Sequence, residues 1–329
     1  MPLRTLFLEA DETGVRRGAE VIRAGGLVAF PTETVYGLGA DALSESAVAR
    51  IFEAKERPRG NPLIVHLAGA AALESVAARV PSSARAAATR FWPGPLTLVL
   101  PRAGTMPLIA TGGLETVAVR VPSHPVALAL IEASGRPIAA PSANRSGRPS
   151  PTRAEHVRED LDGRIELILD GGPTSVGVES TVVDMTTEPP MLLRPGGVTL
   201  EALRDCLGTV QVLGSDDEEA AGRSPGLRYR HYAPRAQVIV IGAGTGERVV
   251  GPWLAAGRPV ALMAQRPVSL ERPGLTVRTM PNDLGAYARD LFAVLRELDS
   301  TGVEGIFVEA VAEEGIGLTI MDRLRRAAS

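Results

Sequence analysis

Apolar and polar positions alternate with two periods along this chain, and the first two hundred residues switch between them repeatedly. Val15, Ala19 and Ile22 share one face at helical spacing, and a short apolar run at 26–30 (GLVAF) follows as a strand. Ser44 stands where an N-cap belongs, ahead of a helix carrying Val48, Ile51 and Phe52. The runs at 63–67, 96–100, 117–121, 138–140 and 165–169 predict further strands. Helices are predicted at 82–91, 124–133 and 152–161. Strands interleaved with helices predict one sizeable α/β sheet domain, with the strand directions left open.

A change of composition ends that pattern. Residues 215–219 (SDDEE) are acidic, and 222–234 (GRSPGLRYRHYAP) concentrate turn formers with basic and aromatic side chains, which reads as a linker. A second α/β unit starts near Ala236 with VIVIG, a helix and PVALM, then alternating elements up to a basic helical tail. The boundaries fall at 1–213, 214–235 and 236–329. Residues 242–246 (GAGTG) follow a strand but lack the GxGxxG spacing and its later acid, so a tight strand-to-helix turn is the better reading than a nicotinamide site.

Bulk composition narrows the classes. The chain has 329 residues, 45 % hydrophobic and 22 % charged, as in ordinary globular proteins. A net charge of -3 excludes a uniformly basic nucleic-acid binder, so any polyanion site is a local concentration of Lys and Arg. The single cysteine, Cys206, excludes an intramolecular disulfide and a Cys-based zinc cluster; its setting beside Leu203 and Leu207 predicts a small buried side chain. The first residues carry too short an apolar run for a signal peptide, and no run approaches a membrane span, so a cytoplasmic protein is expected. GxxxxGK[ST], HExxH, CxxC and GxSxG are all absent.

Chemistry concentrates at strand ends. In FPTETVYGL, at 30–38, a strand stops at Pro31 and two threonines flank Glu33; this is either a ligand-binding strand end or a turn with self-bonding threonines. KERPRGNPL, at 55–63, brings Lys55, Arg57 and Arg59 into one Pro/Gly-framed loop, either a phosphate site or a solvated basic loop. His66, inside LIVHL, is more often a satisfied core residue than a ligand or base. Arg120, inside VAVRVP, needs a counter-charge because burying it alone is expensive. Either a carboxylate of this chain or a ligand anion supplies it, and the ligand is the favoured reading. PSANRSGRPSP (141–151) and GGPTSVGVESTVVD (171–184) are Gly/Ser-rich loops beside strands, able to cradle anions or simply flexible. Arg194 sits at another strand end.

Taken in order, FPTETVYGLGADAL, KERPRGNPLIVHL, FWPGPLTLVL, VAVRVP, APSANRSGRPSPT and GVESTVVD resemble the YrdC-like threonylcarbamoyl-AMP synthases. The linker SPGLRYRHYAP and the domain after it resemble the long, two-domain form of that family. The resemblance implies a twisted open α/β sheet domain and, after the linker, a smaller Rossmann-like α/β domain. It implies that L-threonine, bicarbonate or CO2, and ATP become threonylcarbamoyl-AMP with loss of pyrophosphate, for a downstream tRNA threonylcarbamoyl-transfer machinery. By the same resemblance Lys55 and Arg57 are the catalytic cations. Thr34, His66, Arg120, Ala140 and Ser180 match threonine positions. Arg57, Asn61, Thr116, Ser142, Asn144, Ser150, Arg194 and Tyr232 match ATP positions, with Tyr232 carried back over the pocket as a lid. Mg2+ comes with ATP, held mainly by phosphates and water, with no dedicated protein metal site. Asp322 stands where the resemblance leads one to expect asparagine.

The rival reading is an RNA-binding module whose Lys55, Arg57, Arg59, Arg120, Arg145 and Arg148 track phosphates. An aromatic content of 4 % leaves few stacking platforms for it. Direct nucleic-acid binding is not required by the synthase reading. A carbamoyl-adenylate enzyme of hydrogenase maturation is discounted, since zinc-finger and acylphosphatase-like segments are missing.

Overall fold

The computed structural model describes residues 3–214, 217–226, 231–268 and 272–329. Two compact units divide it. The first comprises Met1–Ser146, Pro151–Ser175 and Glu179–Arg228, and the second Gly147–Ser150, Val176–Val178 and Tyr229–Ser329.

The first unit is built on β1 (Leu6–Glu9), β2 (Val28–Phe30), β3 (Gly37–Asp41), β4 (Ile64–His66), β5 (Leu96–Pro101), β6 (Thr116–Arg120), β7 (Ile138–Ala139), β8 (Leu167–Asp170), β9 (Thr181–Asp184), β10 (Met191–Arg194) and β11 (Gln211–Val212). They form an 11-stranded open sheet of order β1-β8-β2-β3-β7-β4-β6-β5-β9-β10-β11, parallel and antiparallel pairs mixed. Its helices are α1 (Glu12–Arg23), α2 (Glu45–Lys55), α3 (Ser82–Phe91), α4 (Pro125–Ser134), α5 (Ala154–Leu161), α6 (Leu200–Leu207) and α7 (Glu218–Gly222). As expected, Ser44 caps α2, its hydroxyl accepting from Ala47 N at 3.3 Å.

Alternation along the strands assigns the two faces of this sheet. Leu27, Ala29, Leu96, Leu98, Leu100, Val117 and Val119 point to the main core, with α2, α3 and α5 residues packed there. Val28, Phe30, Leu167 and Leu169 point the other way, into a second cluster with α1 and α4. Farther along that second face, Ile64, Val99, Ala118, Val182 and Leu193 form a smaller apolar cluster. His66, Thr97 and Arg120 stand at period-two spacing from these residues and share their face. Fully burying each such Val, Ile or Leu contributes about 1.5–3 kcal/mol, so the apolar floor fixes where the polar residues stand.

The second unit contains β12 (Gln237–Ile241), α8 (Gly246–Ala255), β13 (Val260–Ala264), β14 (Leu275–Thr279), α9 (Leu284–Ser300), β15 (Gly305–Glu309) and α10 (Ile316–Ala328). Its four strands are parallel, in the order β12-β15-β13-β14, which is a small Rossmann-like arrangement. The 242–246 turn enters α8 tightly: a Cβ on Gly246 would lie 2.7 Å from Leu262. Asp322 pairs with Arg326 at 3.0 Å along α10.

Some expectations change. Residues 217–219 of the acidic stretch form the cap and first turn of α7, with Asp217 accepting from Ala220 N at 2.9 Å; Asp and Glu suit a helix start. Residues 215–216 and 227–230 of the expected linker lie outside the described residues. Cys206 is half-buried rather than buried, because α6 buries only the Leu203 side of its surface. No helix among the described residues is long and apolar enough to cross a membrane.

Candidate active site

The polar residues of the second sheet face gather at the ends of β4 and β6, which run parallel with His66 paired to Arg120. Arg120 is 3 % exposed, and three contacts fix its guanidinium plane. Nε donates to the Gly94 carbonyl at 3.1 Å, Nη1 donates to Thr34 Oγ1 at 2.9 Å, and Nη2 lies 2.7 Å from Glu33 Oε1. Thr32 donates its only hydroxyl proton to the Val35 carbonyl at 2.6 Å, so Thr34 donates to Thr32 across their 2.8 Å contact. The threonines around Glu33 are thus both a self-bonded turn and part of a polar site. The Ile64 carbonyl accepts from Ala140 N at 2.8 Å and faces His66 Nδ1 at 3.2 Å. Thr34, His66, Arg120 and Ala140 therefore form one connected group. Ser180 stands on the neighbouring strand pair, 2.8 Å from the Thr97 hydroxyl.

The sequence offers Arg120 either a carboxylate of the chain or a ligand anion, with the ligand favoured, and the structure sets the first of these beside it. The chain's own Glu33, 5 % exposed, already faces it. Unpaired burial would cost either group several kcal/mol, which explains why both are present. Glu33 and Arg120 make a close ion pair, with the backbone N–H groups of Glu33 and Ser123 also beside the carboxylate.

The remaining matched residues fall into two linked groups. Lys55, the last residue of α2, is 1 % exposed, and its ammonium donates to the carbonyls of Ser142 (2.6 Å) and Asn144. Ser142 donates to Asn144 Oδ1 at 2.5 Å, closing that loop on itself. Arg57 donates to the Pro62 carbonyl at 3.0 Å and toward the Asn61 carbonyl at 3.4 Å. So Lys55 and Arg57 are buried, not a solvated basic loop. Asn61 Oδ1 accepts from Gly226 N at 3.4 Å, and Arg194 donates to the Pro225 carbonyl at 3.0 Å and the Ser180 carbonyl at 2.9 Å. Gly196 lets the turn after Arg194 lie flat, since a Cβ there would come within 2.2 Å of Thr181 N. Thr116 opens β6 on the same face as Arg120, four residues away, a span of roughly 13 Å. Ser150 is buried and belongs to the second unit, as does Tyr232, which stacks on Phe292 at 5.2 Å with Arg323 over its ring at 5.3 Å.

Charge states follow from this packing. Burial alone would raise the Glu33 pKa, but the Arg120 charge and the nearby backbone N–H groups of Glu33 and Ser123 together outweigh it, and the carboxyl stays below its ordinary range. Burial, reinforced by the Arg120 charge, pushes His66 down to about 3 against the opposing influence of Glu33. Between that value and the ordinary 6.5, an unfolded chain binds a proton that the native His66 does not. Stability is therefore lost as pH falls from 6.5 toward 3, at up to about 1.4 kcal/mol per pH unit. Half-buried His124, also lowered by burial, acts in the same direction and leaves a residual slope. His66→Gln is expected to flatten the stability profile between pH 5 and 6.5, measured by urea unfolding at each pH; an unchanged slope would refute the neutral, buried His66.

Among the described residues, no group of three or more His, Cys, Asp or Glu side chains is placed to hold a metal ion.

A sequence model of the Sua5/YciO/YrdC family, described as telomere recombination, matches residues 20–196, and one described as threonylcarbamoyl-AMP synthase, C-terminal domain, matches 198–329. The threonylcarbamoyl-AMP synthase of Pyrococcus abyssi is 50 % identical over 327 residues, covering 96 % of this chain and 94 % of the relative. That of Bacillus subtilis is 45 % identical over 332 residues, covering 98 % and 94 %. The solved structure of P. abyssi Sua5 complexed with L-threonine matches with a TM-score of 0.93 at 48 % identity, covering 98 % of each chain. Both parts of the sequence and the whole fold thus point the same way: the chain belongs to the Sua5/YciO/YrdC family of threonylcarbamoyl-AMP synthases, in the two-domain form.

Proposed function

We propose that this chain is an enzyme that condenses L-threonine, bicarbonate and ATP into threonylcarbamoyl-AMP, releasing pyrophosphate. The observation that carries this reading is the Thr34–Arg120–His66–Ala140 group at the ends of two parallel strands, in a chain of this family. Arg120, oriented by Thr34, offers its guanidinium to the α-carboxylate of threonine. His66, neutral at working pH, adds no positive charge to repel the threonine ammonium. The ammonium first gives a proton to solvent; the free amine then takes the carbon of bicarbonate as water leaves, and the resulting N-carboxylate attacks the α-phosphate and displaces pyrophosphate. Holding two anions together this way needs fixed donors rather than mobile ones. Lys55 supplies order by clamping the Ser142–Asn144 loop, and Arg57, Asn61, Thr116 and Arg194 are proposed on the nucleotide side. Mg2+ would arrive with ATP and neutralise phosphate charge.

The mixed anhydride product is prone to hydrolysis, and a tRNA threonylcarbamoyl-transfer machinery is the proposed recipient. The RNA-binding alternative is disfavoured, because Lys55, Arg57 and Arg120 are buried and Arg145 is paired with Glu56 at 2.6 Å. Pyrophosphate release should require threonine and bicarbonate together. Release with bicarbonate alone would mean a different amine acceptor, and no release from folded protein would sink the reading.

A further inference from the structure

Thr97 has no part in the threonine or nucleotide contacts assigned to this site, yet it shares the sheet face of His66 and Arg120 and is 0 % exposed. A hydroxyl in such a place needs a partner once water is excluded, and valine has the same branched shape without that need. The partner is Ser180, whose Oγ lies 2.8 Å from Thr97 Oγ1. We propose that Thr97 is a positioning residue for the reaction: it donates to Ser180 and thereby fixes the Ser180 hydroxyl as a donor to an oxygen of the bound amino acid. The inference rests on the assignment of Ser180 to the threonine side of the site.

Strand order brings the two hydroxyls to the right end of the sheet. β5 runs antiparallel to β6 and parallel to β9, so the starts of β5 and β9 meet the end of β6 that carries Arg120. The Ser180 backbone is pinned there. Its carbonyl accepts from Arg194 Nε at 3.2 Å and Nη2 at 2.9 Å, and the next residue, Thr181, donates its N–H to the Pro95 carbonyl at 2.9 Å. What remains free is the rotation of the side chain.

Counting protons shows how that rotation is fixed. Each hydroxyl has a single proton to give and lone pairs to accept with. Ser180 Oγ also accepts from Arg194 Nη2 at 3.3 Å, so that guanidinium occupies one of its lone pairs. Among the described residues, the two hydroxyls make no other hydrogen bonds. They share one proton, and the other is left over whichever of them donates. If Ser180 donated, the leftover proton would sit on Thr97, enclosed within β5 between β6 and β9, where a buried donor without an acceptor is costly. If Thr97 donates, the leftover proton sits on Ser180, in the loop just ahead of β9, where a ligand oxygen can take it. The second arrangement also polarises the chain of hydroxyls in one direction, which strengthens the outer donor. A donor held this way needs no reorganisation as charge develops on the substrate.

The test is steady-state pyrophosphate release by the full chain, with KM for L-threonine and for ATP measured on Thr97→Val, Thr97→Ser, Ser180→Ala and the double variant. Thr97→Val should raise the threonine KM by about five- to twentyfold, the scale of one hydrogen bond, and leave the ATP KM nearly unchanged. Thr97→Ser, which keeps the hydroxyl, should restore most of the threonine KM. Ser180→Ala should raise it at least as much as Thr97→Val, and combining the two should add nothing, because Thr97 acts only through that hydroxyl. Effects that multiply in the double variant would mean that Thr97 acts independently. An unchanged threonine KM in Thr97→Val would make the pair a packing contact, and a Thr97→Ser as poor as the valine variant would put the effect on the methyl group; each of these overturns the proposal. If Thr97→Val does not fold, Thr97→Ala carries the same cycle. Ser180→Ala with an unchanged threonine KM would overturn the assignment on which the proposal stands, whereas a native chain that releases no pyrophosphate with threonine and bicarbonate would sink the functional reading itself.

Discussion

Arg120→Ala is expected to damage the fold and the chemistry together, and the two effects can be separated. Removing the guanidinium strands Glu33 as a buried carboxylate and frees the Gly94 carbonyl and the Thr34 hydroxyl. Breaking one side of a buried ion pair costs about 3–5 kcal/mol, so urea unfolding should shift to much lower denaturant. Pyrophosphate release should fall by about a hundredfold or more, the scale for losing a charged donor that positions a reacting anion. Pairing Arg120→Met with Glu33→Leu replaces both charges by apolar groups of similar length. That double variant should regain most of the stability and none of the activity. An Arg120→Ala enzyme with near-normal turnover would remove Arg120 from the site altogether.

Lys55→Met is the second large effect. Methionine keeps the length and most of the volume of the buried stem but cannot donate to the carbonyls of Ser142 and Asn144. Two charge-assisted bonds vanish and two carbonyls lose this partner, a loss of about 2–5 kcal/mol. The loop at 142–144 should loosen, raising the KM for ATP more than tenfold. If ATP bound normally and only turnover fell, Lys55 would be acting on the phosphates rather than through the loop. Lys55→Arg should not rescue, because a planar fork does not fit a closed site shaped around one ammonium.

The reasons Lys55 and Glu33 are hard to read from sequence differ. Lys55 lies in a run with Arg57 and Arg59, where a solvated loop is the ordinary outcome. What draws it inward is a pair of carbonyls far along the chain, and backbone carbonyls leave no mark in a sequence. Glu33 sits between two threonines whose turn-forming habit accounts for the segment locally, while its partner is supplied by another strand. Period-two runs are legible: LIVHL and VAVRVP carry His66 and Arg120 at matching positions, and the parallel pairing of β4 and β6 turns that pattern into a site. The short β3, GLGAD, is masked by its glycines, which are there because Phe30 and Ile138 fill the space a Cβ on Gly39 would take. The mostly exposed edge strand β1 shows no alternation to read. For α7, charge density suggests a linker, yet Arg223 beside it reaches the buried Asp184 at 2.9 Å and ties that segment down.

The order of the large sheet has a consequence for how the chain is made. Among the described residues β1 pairs with β8 alone, with Leu6 opposite Leu167, and β2 meets β8 on its other side. At about 5–20 residues per second, a ribosome needs on the order of 10–30 s to extend from the first strand to its partner. Throughout that interval the amino-terminal strand has no neighbour to pair with, and the face that carries Val28 and Phe30 lacks Leu167 and Leu169. The nascent chain is thus an unfinished edge for most of the first unit's synthesis, its backbone and apolar face completed when β8 emerges.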